Sequence, residues 1–129
     1  MVSRDTIVHT CAVVLAIAVL LGVEYYDVGT DGGPAPVPVF LLFYGLVLGG
    51  AHLYLAVRGE DGLVPVEARW RYVAMLAVLL GAGAVIFYGG DRTVGTVRLD
   101  QVGFGIVAVT ILGYFLTESV AGYRASRSE

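Results

Sequence analysis

Four long apolar runs dominate the chain, at 5–26, 37–57, 70–88 and 101–121, and the polar residues gather in the short stretches between them. A helix that crosses a bilayer needs about 20 mostly apolar residues, and each run comes to that length. None shows the strict alternation of a half-buried strand. None keeps the polar face that a helix of a water-soluble bundle turns outward. The stretches between them carry the breakers: "DVGTDGGPAPVP" at 27–38, "RGEDGLVP" at 58–65 and "GGDRTVG" at 89–95. The pattern predicts an all-α fold: one polytopic membrane domain over residues 1–129, with four transmembrane helices paired as two hairpins in a bundle. The first run is expected to stay as a helix and not to be removed as a signal peptide, because it ends in "GVEYYD" without a small-residue cleavage site. Runs one and three both pass from apolar residues through aromatics into an acidic, Gly-containing loop, which is the rhythm of a parallel hairpin repeat.

The basic residues orient the spans. All eight are Arg. Arg4, Arg58, Arg69, Arg71, Arg124 and Arg127 fall on one side, and Arg92 and Arg98 on the other. The Arg-rich side marks the cytoplasm, so both termini are expected there. Aromatic anchors suit this arrangement, with Tyr25, Tyr26, Phe87 and Tyr88 at the outer interface and Trp70, Tyr72 and Tyr123 at the inner one. Glu24 is expected at a solvated helix end, with an acidic outer mouth shared with Asp27 and Asp31 as the alternative.

Composition sharpens the class. The hydrophobic fraction is 57% and charged residues make up 15%, with a mean hydropathy of +0.80. That is more apolar side chain than a soluble domain of this length can hide, because small domains have too much surface. The expected location is therefore a cell membrane. Arg without Lys, abundant Ala, Val, Leu and Gly, and a pI near 5.2 resemble the composition of membrane proteins of halophilic archaea; a virion membrane is compatible with the same pattern. A net charge of −3 and the lack of a basic run speak against nucleic acid. Cys11 is the single cysteine, so an intrachain disulfide is excluded, and it reads as a small packing residue.

Small residues recur at helical spacing in every run. In lipid, helices associate by close packing, which small residues permit. Run two offers Gly45, Gly49, His52 and Ala56, and run three Ala74, Ala77, Gly81 and Ala84. Run four offers Thr110, Gly113, Thr117 and Ala121, and run one Thr6, His9, Ala12 or Val13, and Ala16. Each set shares one helical face. These faces are expected to pack helices, within the chain or against other chains. The Leu-, Val- and Phe-rich faces opposite would meet lipid or a partner subunit.

Candidate chemistry is sparse. His52 precedes Arg58 by six residues, His9 follows Arg4 by five, and Glu118 precedes Arg124 by six, so at 1.5 Å per residue all three lie about 7–9 Å inside the cytoplasmic edge. Ionisable residues at such positions usually face the interior. Three chemistries suit them. The first is a hydrogen-bonded clamp between helices. The second is a proton- or ion-handling site, since His titrates near neutrality and burial tunes Glu. The third is haem ligation by His9 and His52. No hydrolase triad, HExxH, P-loop or dinucleotide fingerprint stands in a usable context. Ala16, Leu46, Leu79 and Val109 at the expected midplane are apolar or small, where a self-sufficient transporter would place charge or a broken helix. No metal site and no obligatory cofactor are expected, and the reading leans away from an enzyme. It favours a structural or accessory membrane subunit, binding other membrane subunits or further copies of itself. The alternatives are a small channel or transporter component using His52, Glu118 and His9, and then a haem-bearing electron-transfer subunit.

Overall fold

A computed structural model describes residues 1–29 and 36–128 of the chain. The fold is all-α, with 79% of the described residues in helix. Four helices are each long and apolar enough to cross a membrane: α1 (Arg4–Tyr25), α2 (Val37–Val57), α3 (Val66–Gly89) and α4 (Leu99–Arg127). The only strands among the described residues are β1 (Thr93–Val94) and β2 (Val97–Arg98), an antiparallel ribbon with Val94 opposite Val97. Gly95 takes a φ of +66° in the two-residue turn between them, where a left-handed backbone matches the strand twist. Asp31, part of the expected outer mouth, lies outside the described residues.

The helix ends follow local chemistry. Ser3 caps α1, its hydroxyl accepting from the Thr6 amide at 3.2 Å. After α1, Asp27 is left-handed (φ 57°). The Asp27 and Val28 amides return to the carbonyls of Glu24 and Val23, the paired closure of a Schellman motif. Gly59 does the same after α2: its amide and that of Glu60 donate to Ala56 and Leu55. Two boundaries differ from the sequence expectation by four residues or more. Helix α3 begins at Val66, directly after Pro65 and four residues earlier than expected, with the Asp61 carboxylate accepting from the Val66 amide at 2.9 Å. Helix α4 runs on to Arg127, because Ala, Ser and Arg contain no breaker and Arg124 and Arg127 complement the helix C-terminus.

The chain forms two compact units, Met1–Leu76 and Ala77–Glu129. The first has a small-residue interior: Ala16, Ala51, Leu55, Ala56 and Leu76 are buried, as is Gly49. Helix α2 contains a π-helical turn at Leu46–Gly50. A Cβ at Gly49 would overlap the Leu76 side chain, so glycine is what permits that approach. The Tyr72 hydroxyl donates to the Leu48 carbonyl in this turn at 2.7 Å, a contact that holds α3 to the widened segment of α2.

In the second unit the close approach is at Gly103, where a Cβ would stand 3.1 Å from the Ala82 carbonyl oxygen and against Ile86. The least exposed line along α4 runs through Gly103, Val107, Thr110, Tyr114, Glu118 and Ala121. Gly113 and Thr117 lie beside that line and are exposed, as are Ala77 and Gly81 on α3. A Cβ at Gly81 or Gly113 would meet nothing within 4 Å. In the first unit, by contrast, Gly45, Gly49, His52 and Ala56 are all buried or half-buried.

Candidate functional site

The polar residues of the first unit converge under the loop that joins α2 to α3. Asp5 sits in the first turn of α1, and its carboxylate accepts from the Leu63 amide at 2.9 Å. Gly62 lets the loop descend this far, since a Cβ there would come within 2.9 Å of both Asp5 carboxylate oxygens. Arg69, in the first turns of α3, is 1% exposed. Its Nη2 donates to Asp5 Oδ1 at 3.0 Å and Oδ2 at 3.2 Å, and its Nε donates to the Val64 carbonyl at 3.2 Å. Its Nη1 lies 3.2 Å from Nδ1 of His52. One guanidinium therefore ties α1, α2, α3 and the loop together. Among the described residues no buried side-chain nitrogen or oxygen lacks a hydrogen-bond partner, which is what a low-dielectric interior demands of polar groups.

These fixed partners set the tautomers of the two imidazoles. Arginine can only donate, so His52 Nδ1 accepts and the proton of the neutral ring sits on Nε2. His9 Nδ1 lies 2.7 Å from the Asp5 carbonyl, which can only accept, so His9 carries its proton on Nδ1. The rings meet edge to face, with centroids 5.1 Å apart. His52 also packs on Tyr72, with centroids 4.6 Å apart. Both imidazoles border an open pocket of about 360 Å³, together with Thr6, Thr10 and Arg69. When both rings are neutral, these partners leave His52 Nε2 as a donor and His9 Nε2 as an acceptor.

The structure thus brings His9 and His52 together on the Asp5–Arg69 pair. Glu118 belongs to the second unit, half-buried on the least exposed line of α4. The aromatic anchors lie at helix ends. Tyr25 and Tyr26 are exposed and in edge-to-face contact, and Tyr88 is half-buried one residue from the end of α3. Trp70 is exposed beside Arg69, and the Tyr123 ring lies under the Arg127 guanidinium. Sequence reasoning missed Asp5 and Arg69 as site residues. It took Arg69 for a loop charge, since it began the helix at 70. The available signals were the i, i+4 spacing of Asp5 and His9 and the i, i+3, i+7 spacing of Arg69, Tyr72 and Leu76, each of which defines one helical face.

Fold and site define a class by their own geometry: an all-helical chain with four apolar helices of membrane-spanning length and a buried Asp–Arg–His cluster near one end of its first unit. Set beside known proteins, it matches no family model, no curated protein and no solved structure.

Proposed function

We propose that the chain is an integral membrane protein with both termini in the cytoplasm, and that it serves as a structural or accessory subunit whose outer helix faces bind other membrane helices. The observation that carries this reading is the apolar surface left uncovered. In the most apolar window of α4 no residue is buried, and in that of α1 only 6% are. Water would not tolerate this much exposed Leu, Val and Phe. Helix faces that combine such side chains with uncovered small residues, as at Gly113 and Gly81, suit helix–helix association in lipid. Gly49 serves the interior of the first unit, so Gly113 is the position to test. Gly113→Leu should keep the helix content and lose co-purifying subunits or further copies of the chain. If Gly113→Leu and the equivalent change at Gly81 leave the assembled mass unaltered, the reading fails. In this reading the Asp5–Arg69–His52 cluster is a clamp.

A second reading, a proton-handling membrane component, is favoured by the two imidazoles standing side by side in the lining of an open pocket. It predicts a pH-dependent flux in liposomes that His52→Gln abolishes. A haem between these imidazoles is disfavoured, because the porphyrin plane would have to pass where the two rings are in edge-to-face contact.

A further inference from the structure

A second cavity of the first unit, about 590 Å³, runs along α1 on the side away from the histidines. Its lining is apolar apart from the Cys11 thiol along its length and Arg4 and Tyr54 at one end. Along α1 it passes Arg4, Cys11, Ala12 and Leu15, and across from them α2 contributes Gly50 and Tyr54. Arg4 and Leu15 are eleven residues apart, so the groove follows the helix for about 16 Å. Ala12 and Gly50 keep its floor open, since a Cβ at Gly50 would already touch the Ala12 methyl at 3.4 Å.

Two arginines stand at one end. Arg4 and Arg58 share a single carboxylate oxygen of Glu60, at 3.0 and 3.6 Å. Both arginine side chains remain more than half exposed. Glu60 answers one of these two charges, and Asp61, which shares a small pocket with Arg4 and Glu60, is turned to the Val66 amide; the exposed faces of Arg4 and Arg58 are left to take an anion at the membrane surface, and the Tyr54 ring beside them suits a headgroup boundary.

We propose that this groove is a specific site for an anionic phospholipid, with one acyl chain lying along α1 from Arg4 to Leu15 and the phosphate held at Arg4 and Arg58. The proposal rests on the membrane reading above. The groove's shape favours a chain over a helix: a partner helix about 10 Å across and 16 Å long occupies about 1,300 Å³, more than twice the cavity.

The test is native mass spectrometry of the protein in maltoside micelles doped with equal amounts of dioleoyl phosphatidylglycerol and dioleoyl phosphatidylcholine. The wild type should retain one phosphatidylglycerol per chain, favoured roughly five-fold over phosphatidylcholine, as one basic residue near an anionic headgroup implies. Arg4→Gln should retain both lipids equally. Ala12→Trp, which fills the groove, should retain neither. If Ala12→Trp disturbs folding, attaching a pyrene maleimide to Cys11 on the folded wild type should displace the lipid instead. Retention unchanged by both Arg4→Gln and the blocked groove overturns the proposal, as does a wild type that holds no lipid in micelles. A dimer mass that rises with protein concentration and falls on blocking the groove, without any lipid adduct, would assign the groove to a second copy and equally overturn it. A chain that stays in buffer without detergent overturns the membrane reading itself, which separates that failure from this one.

Discussion

Two arginine-centred clusters, one in each unit, hold similar chemistry in opposite settings. Arg69 binds Asp5 with side-chain exposures of 1% and 11%. Arg98 binds Asp91 at 3.0 Å and Asp100 at 2.7 Å with half of its side chain exposed and Asp91 almost wholly so. The distances are alike, yet the consequences differ. A buried ion pair has lost its water, and removing one partner strands a charge where nothing replaces the lost solvation. An exposed pair exchanges one set of good partners for water at little cost. The first unit is therefore specified by a polar knot. The second is specified by a glycine approach, at Gly103 against Ala82 and Ile86, with the Arg98 cluster set in the turn.

Breaking the knot should have the largest effect. Arg69→Met leaves Asp5 buried and unpaired, and should cost about 3–5 kcal/mol of stability, read as a fall in the detergent melting temperature. Adding Asp5→Leu should recover most of it; a double variant as unstable as the single one would contradict the account of the pair. Next is the glycine approach of the second unit. Gly103→Val pushes a side chain against the Ala82 carbonyl and should cost about 1–3 kcal/mol, as overpacking does; an unchanged unfolding midpoint would show that the helices do not meet there. Tyr72→Phe removes the bond to Leu48 in the π-helical turn and should cost about 0.5–1.5 kcal/mol, with faster amide exchange in 46–50 as its signature. Arg98→Gln should change stability by no more than about 1 kcal/mol, and less still in high salt, because exposed pairs are screened.

Much of this architecture is legible in the sequence. The four helices follow from run length and from Gly and Pro punctuation, and His9 and His52 can be matched in depth by counting from Arg4 and Arg58. Asp5 and Arg69 were hidden for a physical reason. Charged residues next to an apolar run normally mark its solvated end, and only a loop lowered by Gly62 turns this pair inward. The π-helical turn is likewise a tertiary response, fixed by Tyr72 and by Leu76 over Gly49, with no local signature beyond the paired glycines. On α4 the stripe read through Gly113 and Thr117 differs from the least exposed line by one position, 113 to 114 and 117 to 118. Small residues mark that stripe in the sequence, while the half-buried line carries the bulky Tyr114 and Glu118.

What the exposed helix faces bind distinguishes a subunit from a chain that works alone. The most direct measurement is the native mass of the particle released from its source membrane by mild detergent, for the wild type and for Gly113→Leu. The account predicts a wild-type mass well above the 13.6 kDa of one chain, reduced towards that value by the substitution while helix content is kept. A wild type that is released as a single chain would contradict it.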